Sequence, residues 1–405
     1  IYYRNHFFDY PVSLKFSTLW NMGFFKTVHA GLSYLRSMFR KLPETSLENF
    51  YINRFGRVLY GMFFERYTEK LWGRHPRDIS ADWGAQRVKG LSIAAVLRDI
   101  LGKLVPFRRK NRKVETSLIE RFLYPKFGPG QLWETVADEV RHRGGRIIFN
   151  CTATGIEAIH GRITGVHCTT GTHSEILRAD HIISSMPVRD LIAGWIGNSV
   201  PASIRDAANA LPYRDFVTVG LLINKLNLKN RTRMKTLGNI VPDCWIYVQD
   251  PDVKLGRIQI FNNWSPYMVK NPESTVWIGL EYFCSENDDF WNMSDEACIA
   301  FAVGELERMK IIDQGAVLDA HRERVKKAYP AYFDGYSKMD EIIAFLNSYE
   351  NLWCIGRNGM HRYNNMDHSV LTGLTAAELI RTGKRDMDQL WNVNAEKEYH
   401  ETRRQ

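Results

Sequence analysis

The hydrophobic period of this chain changes at Pro125, and that change limits the folds open to it. Ahead of it, Phe25, Val28, Leu32, Leu35, Met38 and Phe39 fall at helical spacing within Phe25–Leu42, with Lys26, Arg36, Arg40 and Lys41 between them. Such a helix is expected to lie on a core, because Gly31 and His29 interrupt a membrane-binding face. A membrane surface is the alternative. Ser46–Tyr67, just after Pro43, reads as a second helical stretch. Past Pro125, the turn Phe127-Gly-Pro-Gly130 leads into helical spacing over Gln131–Gly144. Arg146–Phe149, Gly155–Ile159, Arg162–Val166 and Glu175–Leu177 then read as a β-meander, with His160-Gly161 and Thr170-Gly171 as turns. His181–Ser185 is a short apolar strand ending at Pro187. Residues 211–345 mix strands (Val217–Ile223, Cys244–Val248, Arg257–Asn262, Thr275–Tyr282) with a helix near Asp295–Met309. The chain therefore reads as mixed α/β.

Composition removes several function classes. No run of eighteen apolar residues occurs, so a transmembrane helix is not expected, and no signal peptide opens the chain. The six cysteines form no C-x-x-C pair and have no histidine at zinc-finger spacing, which argues against a disulfide scaffold or a metal site and fits a reducing cytoplasm. The net charge of +9 is partly clustered, with Lys103, Arg108, Arg109, Lys110, Arg112 and Lys113 in one short run. A solvated loop explains such a run most simply; an anionic small molecule or a membrane surface would also suit it. Nucleic acid suits it least, since no RNP pattern, zinc finger or basic zipper is present.

Two constellations carry chemistry. In Asn351–Leu371 an apolar strand, Leu352–Ile355, runs into a turn with Gly356 and Gly359. Asn365 and Asp367 then stand just before a helix through Val370–Arg381. A helix N-terminus offers free N–H groups and about half a positive charge, and so attracts phosphate or an electron-rich ring. Arg357 would add a forked cation. An ordinary βα turn with a capped helix gives the same pattern. The second constellation is Glu65–Pro76, where Tyr67 and Trp72 could stack on a base or could simply be core aromatics near a helix end.

These residues carry a resemblance. Tyr67-Thr-Glu-Lys-Leu-Trp-Gly73 resembles the Tyr-Thr-x-Lys-Gln-Trp signature of UDP-galactopyranose mutases. Gly356-Arg357 through Arg362-Tyr363-Asn-Asn-Met-Asp367 resembles their flavin motif. The stretch from Tyr124–Gly130 to Ser185-Met-Pro187 is more similar to the flavin amine oxidase and protoporphyrinogen oxidase group. The resemblance implies FAD as cofactor, held by Gly130, Ala153, Gly356, Arg357, Asn365, Met366 and Asp367. It implies Tyr67, Trp72 and Tyr363 as substrate-binding residues, and Arg87 (or Gln86), Arg214 of the Tyr213-Arg214 pair and Tyr329 of Tyr329-Pro330 as catalytic ones. Leu71 stands where the mutases have Gln, and Asn365 where they have Asp, which departs from mutase chemistry.

The implied fold is a Rossmann-like FAD/NAD(P)-binding flavoprotein fold with an α+β substrate domain. Its divisions are a mainly helical cap or substrate region over 1–124, part of the FAD domain over 125–200 and a substrate-binding α+β domain over 201–345. A C-terminal FAD-binding strand–turn–helix over 346–385 and a tail over 386–405 complete it. Such flavoenzymes open with strand, G-x-G-x-x-G and helix. No such turn occurs in residues 1–405, so the first βαβ unit is expected upstream of Ile1. The implied activity is that of an FAD-dependent oxidoreductase on an anionic or nucleotide-sugar substrate in cell-surface sugar or polysaccharide synthesis, in the cytoplasm or at the inner face of the membrane. A mutase using reduced flavin, and a non-catalytic sugar-nucleotide or membrane-surface binding protein, are the alternatives. Oligomeric state is not legible.

Overall fold

The computed structural model describes residues 1–9, 16–81, 123–197 and 199–394. Arg87 with Gln86, and the basic run 103–113, lie outside the described residues. The described residues divide into two compact units, one drawn from 1–139 and 215–326, the other from 140–214 and 327–394.

In the first unit, Val276–Cys284 is the middle strand of a five-stranded sheet. It pairs antiparallel with Tyr213–Ile223 on one side and Arg257–Ile260 on the other, and Trp245–Tyr247 and Val317–Pro330 form the edges. Alternate residues of these strands (Val217, Val219, Leu221, Ile258, Ile278, Leu280) meet the helix Asp295–Arg308 through Cys298, Ala302 and Leu306 in one apolar core. The strand expected over Arg257–Asn262 stops at Ile260, and Phe261–Trp264 turns into a short helix. The long strand Val317–Pro330 is absent from the sequence reading. Its contiguous polar residues, His321–Arg324 and Lys326–Lys327, break the apolar–polar alternation and hide the strand period.

The helices of this unit form where the spacing places them, but one faces the other way. Ser46 caps Leu47–Phe63, accepting the Asn49 N–H at 3.3 Å. Against it lies the helix Phe24–Phe39, which buries Ala30, Tyr34 and Ser37. Phe25, Val28, Leu32, Leu35, Met38 and Phe39 point outward, Phe25 being 86% exposed. The expectation of a core-facing apolar stripe is thus corrected. Gly56 supplies the reason. It sits at φ +79° and kinks its helix, and a Cβ there would stand 2.8 Å from the Tyr34 backbone nitrogen. Two backbones this close leave no room between them for the bulky apolar stripe, which turns to the other side.

The second unit holds an antiparallel meander, Cys151–Ile159, Arg162–Thr170 and His173–Leu177. It also holds a parallel pair in which Leu352, Trp353 and Cys354 face Ile182, Ile183 and Ser184. Arg146–Phe149, expected as the first meander strand, has no strand partner among the described residues and remains irregular. The parallel pair likewise has no third strand among them. Ile183 is exposed, whereas Leu352 and Trp353 are buried. Asn351 joins the two pieces. Its amide accepts the Ile163 N–H and donates to the Ile163 carbonyl, both at 2.9 Å, standing in for a strand partner 188 residues away in sequence. Ile156, Leu191, Trp195, Ile342 and Leu346 belong to one apolar core in this unit.

Candidate functional site

The strand Leu352–Cys354 is followed by a turn whose geometry depends on two glycines. Gly356 has φ +74°, and a Cβ there would meet nothing within 4 Å, so the backbone faces open space. Gly359 is the opposite case, since a Cβ would stand 2.6 Å from the Ser184 carbonyl oxygen. Gly356, though buried, has unfilled space beside its Cα, and Gly359 lets the turn lie on the neighbouring strand. Thr372, reaching back from the helix Met366–Arg381, accepts the Gly356 N–H at 2.9 Å.

Arg357 is spent on this turn. Its Nε donates to the Asn364 carbonyl at 2.7 Å and an Nη to the Ala328 carbonyl at 3.0 Å. Its guanidinium lies over the rings of Tyr363 (4.6 Å) and Tyr329 (5.5 Å), which stack on each other with centroids 5.5 Å apart. The sequence reading gave Arg357 to cofactor phosphate; here two of its nitrogens bind carbonyls and it holds Tyr329 and Tyr363 in register. The Tyr363 N–H donates to the Tyr332 hydroxyl at 2.5 Å. Asn364, fully buried, receives the Asn394 amide at 2.9 Å. His361 beside it is fully buried at φ +44°. One ring nitrogen lies 3.0 Å from the Ala331 carbonyl, and Tyr213 meets the ring edge-on at 4.8 Å. Burial pushes the imidazole down to about 4. Arg214, next along from Tyr213, is buried.

Asn365 precedes the 16-residue helix Met366–Arg381, and its N–H lies 3.3 Å from His368 Nδ1. The same nitrogen is 3.2 Å from Asp367 Oδ1, so an unprotonated Nδ1 accepts from the Asn365 N–H, whereas a protonated one donates to Asp367 instead. Met366 and Asp367 are exposed at the positive end of the helix. Ala153 lies exposed in the meander opposite Cys168, and Gly130 begins the helix Gly130–His142 with no atom near its Cβ position.

In the first unit, Tyr67 and Trp72 part company. Both lie on the helix Glu65–Trp72, but Trp72 is only 3% exposed, with its faces in the core. Packing is the role this geometry displays for Trp72. Tyr67 accepts a hydrogen bond from Arg257 Nε at 3.1 Å on its hydroxyl and meets Tyr247 edge-on at 5.7 Å. Burial holds its phenol well above the usual range. Arg257 is paired at 3.0 Å with Glu281, both buried, and Glu281 also accepts from Gln259 at 2.6 Å. The Arg257 guanidinium lies 5.1 Å from the Trp245 ring, and Trp245 stacks on Tyr247 at 5.7 Å while remaining 39% exposed. Sequence reasoning missed Trp245, Tyr247, Arg257 and Glu281. Their period-2 spacing on paired strands was legible, but their meeting with Tyr67 across some 180 residues was not.

Lys70 explains a further part of the Tyr67 motif. Its ammonium donates to the carbonyls of Val248 (3.2 Å), Asp250 (3.1 Å) and Leu255 (2.9 Å), and burial lowers it to about 8. Glu305 accepts the N–H groups of Lys254 and Leu255 at 2.6 and 3.0 Å. Together they fix the turn that joins the Trp245 strand to the Arg257 strand. Leu71, the residue that departs from the mutase signature, is buried, so that replacement falls in the core. Asn365 for Asp falls at a helix N-cap, where the two residue types are nearly equivalent.

A sheet-based α/β protein with a glycine-opened turn at a helix N-terminus and stacked tyrosines beside it belongs to the cofactor-binding class. Residues 29–381 match the flavin containing amine oxidoreductase family, and the chain belongs to it. It is similar in structure to a reduced UDP-galactopyranose mutase, at 18% identity and TM-score 0.69, over 92% of this chain and 74% of that one. It is also similar to a putative protoporphyrinogen oxidase from Exiguobacterium sp. 255-15, at 14% identity and TM-score 0.59, over 88% and 73%. No curated protein sequence matches it. The protein is a flavin-dependent oxidoreductase of that family with FAD as its cofactor. The residues present fit the group: Gly356 leaves open space in front of the turn, and Met366 and Asp367 sit exposed at the positive end of a long helix.

Proposed function

We propose that this enzyme oxidises an anionic, nucleotide-bearing sugar in cell-surface polysaccharide synthesis. When bound, FAD supplies the hydride acceptor; the protein's part is binding and orientation. The turn at Gly356 and the backbone of Met366 and Asp367 would hold the cofactor, and Arg357 keeps Tyr329 and Tyr363 as a fixed aromatic wall. The observation that carries the substrate reading is the half-exposed Trp245, backed by Tyr247 and by Arg257, whose charge Glu281 balances. Such a plate suits a nucleobase, and base stacking is worth about 1–3 kcal/mol.

Ring isomerisation by reduced flavin is the second reading, supported by the burial of Leu71 and the capping position of Asn365, which give each departure a local structural role. Anaerobic mixing of the oxidised enzyme with nucleotide sugars tests the first reading. Bleaching of the flavin absorption band by one of them is expected. Full retention of the band with every sugar, together with furanose formation from UDP-galactose by dithionite-reduced enzyme, would establish the second instead.

A further inference from the structure

The helix Phe24–Phe39 has one face packed and the opposite face apolar and bare. Phe25, Val28, Leu32, Leu35 and Phe39 recur at intervals of three and four residues, all exposed, and Trp20 and Phe24 at the preceding helix junction are exposed too. The buried residues, Ala30, Tyr34 and Ser37, lie on the other side. A stripe of this kind on a helix about 24 Å long is larger than the scattered apolar residues of an ordinary surface.

The charges around it select the occupant. From Tyr10 to Pro43 the sequence contains no Asp or Glu, while Lys15, Lys26, Arg36, Arg40 and Lys41 are present. Lys41 donates to the Asn53 carbonyl at 2.6 Å and is occupied there. Lys26, His29 and Arg36 are exposed on the helix itself and Arg40 at its C-cap, and His29 and Arg36 fall along one flank of the apolar stripe. Bulky aromatic and aliphatic side chains beside cations, in a stretch without a single acid, match the acyl–headgroup boundary of an anionic bilayer. A protein partner would ordinarily be met by charges of both signs.

We infer that the face Phe24–Phe39 docks this protein on an anionic membrane surface, with Phe25, Leu32 and Phe39 entering the headgroup boundary and Arg36 and Arg40 meeting lipid phosphates and carboxylates. No helix among the described residues is long and apolar enough to cross a membrane, so the attachment is peripheral. It would hold the enzyme where lipid-linked or surface-destined sugars are assembled.

Sedimentation of the full chain with phosphatidylcholine vesicles, with and without phosphatidylserine, tests this. Binding is expected to phosphatidylserine vesicles, to weaken in high salt, and to be feeble on phosphatidylcholine alone. F25S/L32S should lower binding at least tenfold. R36A/R40A should lower it by about 25-fold, at about fivefold per basic residue, on anionic vesicles only. L318S, which alters an exposed leucine elsewhere, should leave binding unchanged. All three variants change exposed side chains, so circular dichroism and Tm should match the parent. Failure of the parent to bind phosphatidylserine vesicles would overturn the inference, as would equal binding by F25S/L32S. A parent dimer that F25S/L32S converts to monomer, with no vesicle binding by either, would assign the face to a second copy of the chain and likewise overturn it.

Discussion

Acidification should loosen this protein through His361 before it reaches the carboxylates. The imidazole is fully buried, held down to about 4 chiefly by burial and secondarily by the Arg189 charge, while the Ala331 carbonyl works in the other direction. In the unfolded chain the same ring titrates near 6.5. Below that pH the unfolded state takes up a proton that the native state refuses, so stability is fully present above about pH 6.5 and falls as the pH drops toward 4. The difference of about 2.5 pH units amounts to about 3 kcal/mol, at 1.36 per unit. His361→Asn is the useful comparison. Asn tolerates the left-handed backbone at φ +44°, can donate toward Ala331 and does not titrate. Urea unfolding of both proteins at several values between pH 7 and 4, followed by near-ultraviolet circular dichroism, gives the difference in stability and cancels the carboxylates common to both. The parent's advantage should shrink by about 3 kcal/mol across that window. Parallel stability curves would refute the reasoning.

Other substitutions separate packing from function. Gly56→Ala must adopt φ +79° and push against the Tyr34 backbone, and should cost about 2–4 kcal/mol of stability in thermal melts. Trp72→Ala should cost about 3–5 kcal/mol of stability, whereas Trp245→Ala should leave Tm nearly unchanged and weaken nucleotide binding about five- to 150-fold by titration calorimetry. Arg357→Ala, by releasing Asn364, Ala328 and the two tyrosine rings, should lower FAD content after gel filtration, while Lys384→Ala should not.

What the sequence revealed depended on how local the cause was. The meander was legible because His160-Gly161 and Thr170-Gly171 are turns made by their own residues. The strand Leu352–Cys354, its glycine turn and the helix behind it were legible for the same reason. The outward face of Phe24–Phe39 was not, because a single backbone approach at Gly56, some twenty residues on, decides which side can pack. The bonds from Arg357 to the Asn364 and Ala328 carbonyls were not legible either, because backbone acceptors are invisible in a side-chain alphabet. Trp245 and Arg257 acquire meaning only when paired strands bring them to Tyr67.

Asn351 has a consequence for how the protein is made. The unit it closes is split by residues 215–326, so Ile163 leaves the ribosome long before its amide partner exists. At about 5–20 residues per second the wait is on the order of ten seconds. Throughout it the meander lacks the buried neighbours that arrive with Ile342, Leu346 and Leu352. The intervening sheet, whose antiparallel strands lie nearer one another in sequence, can form during that interval. A nascent chain arrested just before Asn351 should therefore present a folded first sheet together with a chaperone-binding meander.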